Sequence, residues 1–143
     1  MNMFYNDYMQ SMIQPMRDEL TRNGFKELLT PEDVVNELEN KGVTLVVVNS
    51  VCGCAAGLAR PAAVASLKHE NKPDHLLTVF AGQDKEATAK AREYFTGYPP
   101  SSPSFAVLKD GEMIGMVERH QIEDRSLEQI VESLTALYDQ ARA

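Results

Sequence analysis

The chain's two cysteines stand one residue apart, Cys52-Gly53-Cys54, between a β-branched apolar run and an alanine-rich run of helical character. That placement suits thiol–disulfide exchange. A thiolate at a helix N-terminus meets unpaired backbone N–H groups and the positive end of the helix dipole, which make it a nucleophile near neutral pH. Cys52, at or just before the helix start, is the expected attacker. Cys54, in the first turn, is placed to resolve the mixed disulfide that forms. A ring closed across one intervening residue is small, and Gly53 is expected to supply unusual torsions for it. Residual strain would destabilise the oxidised form and raise the reduction potential, favouring exchange or isomerisation over bulk reduction. A thiolate metal-binding module is the rival from another class. A closed zinc site wants four ligands, and His69, His75 and His120 show no paired spacing with each other or with the cysteines, so no metal site is expected.

Other residues gather around this pair by their place in the chain. The segment Tyr98-Pro99-Pro100-Ser101-Ser102-Pro103 is a proline-rich loop ahead of an apolar strand. In a thioredoxin-like arrangement a cis-proline precedes the strand opposite the active cysteines, and Pro103 has that position. A cis Ser102–Pro103 bond would present the Ser102 backbone to a substrate chain. Ser101 and Tyr98 are secondary binding candidates. Arg60, two helical turns beyond the cysteines, could meet a carboxylate on a small-thiol substrate; a solvated arginine on a helix face is the preferred reading. Glu112, Glu118, Glu123 and Asp124 read as a solvated acidic edge.

The elements that must hold these groups follow from hydrophobic period and turn chemistry. Residues 3–22 form a helix with Phe4, Tyr8, Met12 and Met16 at spacing four and Ile13 alongside, kinked or broken at Pro15 and stopped at Gly24. Residues 25–29 make a short edge strand. Thr30 caps a second helix with Pro31 in its first turn and Val34, Val35 and Leu38 on its apolar face. Residues 43–48, continuous and β-branched, read as a strand buried on both faces. A helix over 55–69, kinked at Pro61, follows the cysteines. Then come a strand within 75–81, a helix over 84–95, a strand over 104–108, an Asp110-Gly111 hairpin turn and a partner strand over 113–117. Ser126 and Gln129 make a capping box for a last helix through Tyr138, with Leu127, Ile130, Val131, Leu134 and Leu137 buried. This order is the thioredoxin arrangement: α/β, a central mixed sheet flanked by helices, with an additional N-terminal helix. It places the cysteine loop at the C-terminal end of a central strand, where ligands gather in open α/β sheets.

Composition bounds the rest. A chain of 143 residues, 43% hydrophobic and 24% charged, is of a size for a single domain, residues 1–143. A net charge of −7 argues against nucleic acid or an anionic membrane as partner. No apolar run reaches membrane-spanning length, and no basic segment leads into an apolar stretch at the N-terminus, so a cytoplasmic location is expected. That compartment keeps thiols reduced, which favours a redox role for the pair over a structural staple. The apolar content of the N-terminal helix leaves room for a homodimer.

The sequence resembles the bacilliredoxin family, thioredoxin-like proteins of low-GC Gram-positive bacteria. The resemblance is carried by Val46-Val47-Val48-Asn49-Ser50-Val51-Cys52-Gly53-Cys54-Ala55-Ala56-Gly57-Leu58-Ala59-Arg60-Pro61, by the run from Val79 to Ala89, and by Pro100-Ser101-Ser102-Pro103-Ser104. Tyr8-Met9 and Pro15-Met16-Arg17 also fit, so it spans nearly the whole chain. It implies a glutaredoxin-like role with bacillithiol as co-substrate and no tightly bound cofactor. Cys52 would attack a protein–bacillithiol mixed disulfide, release the protein thiol and keep bacillithiol, which free bacillithiol or Cys54 then clears. Its partners would be bacillithiolated or disulfide-bonded cytosolic proteins. Members of the family have also been regarded as disulfide isomerases of the Cys-x-Cys type. Some relatives carry a further cysteine near the C-terminus, whereas this chain reads Asp139-Gln140-Ala141-Arg142-Ala143 there. The resemblance therefore does not extend to a mechanism needing a third thiol.

Overall fold

Strand β2 (Val43–Asn49) organises the molecule, because every one of its seven residues is buried. Its side chains alternate between two cores. Val43, Leu45 and Val47 point to one cluster, and Val46 and Val48 to the other. Only a strand covered on both faces can be buried throughout. The structure is a computed structural model and describes residues 3–143, the side chains of residues 3–6 and of Cys54 excepted. In chain order the elements are α1 (Met3–Thr21), β1 (Lys26–Glu27), α2 (Pro31–Leu38), β2, α3 (Gly53–Ser66), β3 (His75–Phe80), α4 (Lys85–Arg92), β4 (Ser104–Lys109), β5 (Glu112–Val117) and α5 (Leu127–Arg142), with a 3₁₀ turn at Arg119–Gln121.

The five strands are ordered β1-β3-β2-β4-β5. β1, β3 and β2 run parallel, and β4 and β5 complete the sheet antiparallel. The sheet is therefore mixed. α3 and α5 cover one face, where Phe105, Val107, Ile130, Leu134 and Tyr138 join the first cluster. α2 and α4 cover the other with Leu38, Ala87 and Ala91. The β4–β5 turn has Asp110 and Gly111 at φ 51° and 84°, the left-handed pair that a two-residue hairpin requires. Thr30 accepts the Asp33 N–H at 3.1 Å, and Ser126 accepts that of Gln129 at 3.2 Å, so both predicted caps are formed.

α1 and α3 are each one unbroken helix with Pro15 and Pro61 inside, so the chain does not leave the helix at Pro15. Other local expectations are corrected. The buried stripe of α1 is Ile13 and Leu20, while Tyr8 and Met12 are exposed. Phe4, the first residue of the expected stripe, has its side chain outside the described set. The reason is polar: the C-terminal half of α1 lies against the ends of the parallel strands through hydrogen bonds. Arg17 bonds Glu27 and Asp84, each at 2.7 Å, and its guanidinium stacks over the Phe80 ring. The Asn49 amide donates to the Met16 carbonyl at 3.2 Å. α5 buries Ile130, Leu134, Tyr138 and Ala141, and leaves Leu127 exposed. Tyr138 belongs inside because its hydroxyl finds Ser66 Oγ at 2.7 Å.

Candidate active site

Cys52 is the N-cap of α3, one turn of loop beyond the end of β2. Its side chain makes no cap hydrogen bond to the helix, so the sulfur is free to face outward. The loop beneath it is firmly held. Ser50 Oγ accepts the Cys52 N–H at 3.1 Å, and Asn49 Oδ1 accepts the Ser50 N–H at 2.9 Å. Ser50 and Asn49 are buried, whereas Val51 is half exposed. Cys52 therefore sits at an accessible tip on a buried base, the setting a reactive thiol requires.

Arg60 is part of that base, which corrects its reading as a solvated side chain. The residue is buried, and its guanidinium is engaged by protein acceptors. It donates to Asn49 Oδ1, to the Ser50 carbonyl and to Glu19 of α1, each at 3.0 Å. The cysteine loop otherwise leaves buried acceptors that need a donor, and a guanidinium with five N–H groups can serve several at once. Gly53 is the first helical residue, its φ is not in the left-handed region, and a Cβ there would meet nothing within 4 Å. Its lack of a side chain leaves the mouth of the site open. The side chain of Cys54, expected to resolve the disulfide, lies outside the described residues; its backbone is in the first turn of α3.

The Ser102–Pro103 peptide is cis. Ser101 has its polar atoms engaged inside the loop. Its carbonyl accepts Ser104 Oγ at 2.9 Å and Arg92 at 3.4 Å, and its hydroxyl accepts the Arg119 N–H at 3.5 Å. Ser101 thus fastens the loop to Ser104, Arg92 and Arg119. The Ser102 carbonyl accepts Arg119 Nη1 at 3.2 Å, and the same nitrogen lies 3.1 Å from Cys52 Sγ. One guanidinium thus joins Cys52 to the cis-proline loop. Its Nε is paired with Glu123. The hydrogen bond to Glu123, then the charge of Cys52, hold the Arg119 guanidinium above its ordinary value, so it stays cationic at any working pH.

Sequence reasoning missed Arg119. It follows β5 in the 3₁₀ turn, whose start is marked by Gln121 Oε1 accepting the Glu118 N–H at 2.9 Å. The Glu-x-x-Gln spacing was the available signal for the turn, but nothing local points the arginine at a cysteine 67 positions away. The acidic edge is likewise revised. Glu123 and Asp124, with Arg119, Cys52, Gly53, Ala55 and Leu58, line a cavity of about 270 Å³ beside the sulfur. Tyr98 is not among its walls. Among the described residues, no three His, Cys, Asp or Glu side chains are grouped to hold a metal ion, and no helix is long and apolar enough to cross a membrane.

Comparison with known proteins agrees with this architecture. Residues 8–141 match the family model described as disulphide isomerase. The chain is 60% identical over 141 residues to a bacilliredoxin of Geobacillus kaustophilus, covering 97% of each chain. It is 57% identical over 141 residues to one of Halalkalibacterium halodurans, covering 98% of each. Its fold is similar to that of mitochondrial thioredoxin 3 of Saccharomyces cerevisiae in the oxidised form, with a TM-score of 0.55 and 13% identity over 82% of this chain and 98% of that one.

Proposed function

The chain belongs to the bacilliredoxin family and is a thiol–disulfide oxidoreductase with a thioredoxin fold, and from that premise we propose that it removes bacillithiol from protein thiols in the cytoplasm. The observation that carries the reading is the placement of Cys52: a sulfur at a helix N-terminus, facing a cavity of about 270 Å³ that can receive a small thiol. In the first step the Cys52 thiolate attacks the bacillithiol sulfur of the mixed disulfide. The new S–S bond joins Cys52 to bacillithiol, the old bond breaks, and the target's sulfur leaves with the electron pair and takes a proton from water. In the second step the Cys54 thiolate attacks Cys52 Sγ, expelling bacillithiol and leaving a Cys52–Cys54 disulfide. Alternatively, free bacillithiol attacks the bound bacillithiol sulfur and restores Cys52 as the thiolate. The partners are bacillithiolated proteins and bacillithiol itself, with no resident cofactor.

The test is intact mass of a Cys54→Ala variant after incubation with a bacillithiolated protein. The expected result is an adduct of bacillithiol mass on Cys52 and a target restored to free thiol. A target that keeps its bacillithiol while Cys52 stays free overturns the reading. The disulphide isomerase description of the matched family supports a second reading, rearrangement of protein disulfides by the same cysteines. Recovery of a scrambled disulfide protein without bacillithiol, alongside failure of the first assay, would select it.

A further inference from the structure

We propose that Arg119 is a catalytic residue of the exchange reaction, the donor that receives negative charge on Cys52 Sγ both when it attacks and when it leaves. The inference rests on the thiol–disulfide activity and not on which small thiol is carried. A single nitrogen, Nη1, reaches Cys52 Sγ at 3.1 Å and the Ser102 carbonyl at 3.2 Å. Glu123 holds the other edge of the guanidinium. The group is thus fixed from two sides and aimed at the reacting atom. Its charge is sustained by the same contacts.

A purely structural role explains the arrangement less well. The Arg119 and Glu123 side chains are 44% and 43% exposed, and an ion pair that open contributes little to stability. The buried arginine of the loop, Arg60, already supplies the holding contacts. What Arg119 adds is a charge-assisted donor at the sulfur, a class of contact about twice as strong as a neutral one.

The electron balance places the donor at two moments. In the forward step the Cys52 thiolate gives its electron pair to the substrate sulfur, the substrate S–S bond breaks, and the departing thiolate is protonated by water. Cys52 Sγ is then neutral, and Nη1 keeps the Ser102 carbonyl as its acceptor. In the reverse sense a second thiol, acting as thiolate, attacks the carried sulfur. Cys52 leaves with the electron pair and returns to the waiting N–H. In the mixed disulfide the guanidinium has lost an anionic partner, which frees it to meet an anionic part of whatever occupies the cavity.

The experiment measures the rate of Cys52 alkylation by iodoacetamide against pH, between about pH 5 and 10, with Cys54→Ala as the common background. Alkylation needs no natural substrate, so its outcome stands apart from that of the de-bacillithiolation assay. The charged groups lining the cavity are Arg119, Glu123 and Asp124, and each is fixed or varied in turn. A half-exposed cation at this distance stabilises negative charge on the sulfur by about a factor of ten. Nucleophilicity falls as a thiolate is stabilised, with a Brønsted slope of about 0.4–0.5, so it recovers about threefold per thiolate when the donor is removed. Arg119→Ala is therefore expected to be about threefold slower on the acid limb and about threefold faster on the alkaline plateau. The two profiles cross. Arg119→Lys is expected between the two, and Arg125→Ala, an exposed arginine outside the cavity, superimposes on the parent. Profiles of Arg119→Ala that coincide with the parent, or that are lower by one constant factor at every pH, overturn the proposal. So does an equal crossing in Arg125→Ala. Should Arg119→Ala fail to fold, the Arg119→Lys profile decides in the same way.

Discussion

Replacing Arg60 with alanine should cost more stability than any exposed charge substitution in the molecule. The guanidinium is buried and donates to three acceptors at 3.0 Å: Glu19, Asn49 Oδ1 and the Ser50 carbonyl. Hydrogen bonds to a charged group are worth about 1.5–3 kcal/mol, and a buried acceptor left unpaired costs about 1–3 kcal/mol more. The contacts are not additive, because all three share one side chain and α1 can relax toward the gap. A loss of about 3–5 kcal/mol is the working figure. A chain of 143 residues unfolds with an entropy of about 0.3 kcal/mol/K, so the melting temperature should fall by about 10–17 °C. Thermal unfolding followed by circular dichroism measures this directly, and urea unfolding at 25 °C gives the free energy independently. Arg60→Lys, which keeps the charge near Glu19 but has fewer donors and no planar fork, should recover about half of the loss. A fall of less than about 3 °C with an unchanged urea slope would refute the reasoning. It would mean that α1 and the cysteine loop do not depend on this guanidinium.

Two pH-dependent variants test the remaining polar anchors. Arg142, then the Val43 N–H, hold the Asp74 carboxyl below the usual carboxylate range. Its contribution is therefore complete above about pH 4 and is lost as pH falls below that, and at 43% exposure it is under about 1 kcal/mol. Asp74→Asn should lower stability at pH 7 and flatten the acid limb of a urea-midpoint profile below about pH 4; an acid limb identical to the parent's would count against the pair. Burial pushes the Tyr138 hydroxyl well above its ordinary value, against a smaller opposing effect of Ser66. Its stabilisation is then complete below about pH 10, where the unfolded phenol begins to ionise, and is lost as pH rises further. Tyr138→Phe should cost about 1 kcal/mol at pH 7 and lose less than the parent above about pH 10. A constant gap between the two across the alkaline range would show that the phenol is not held neutral by the fold.

The elements were legible where the signal is local. The apolar run of β2, the caps at Thr30 and Ser126, and the Asp110-Gly111 turn each lie within a few residues of the structure they specify. So does the strand-to-helix junction that places Cys52, since the end of an apolar strand and the start of an alanine-rich helix bracket it. Illegible were the partners of the arginines. Arg60 meets Glu19 across 41 positions, Arg17 meets Asp84 across 67, and Arg119 meets Cys52 across 67. No period or motif encodes a contact of that separation. A buried arginine and a solvated one also read alike, because only the tertiary fold supplies the acceptors. α1 went wrong for the same reason. Its apolar spacing suggested a stripe through Tyr8 and Met12, but its C-terminal half is positioned by Arg17, Glu19 and the Met16 carbonyl.

The two arginines divide the work at the cysteine loop by their burial. Arg60 acts below the loop, on Asn49 and Ser50, which are buried and make no contact with the cavity. Arg119 acts above it, on Cys52 Sγ, where both partners are accessible. Of the two guanidinium groups, only that of Arg119 is aimed at the sulfur. Arg60 faces Glu19 through Nε and gives Nη1 to the oxygens of Asn49 and Ser50. Arg119 is also paired, with Glu123, but it retains an N–H on the sulfur. Rigidity of the loop and reactivity of the thiol thus rest on different side chains. A nucleophile that must be attacked as well as attack needs this separation: its charge has to change twice in each cycle while the backbone that aims it stays in place.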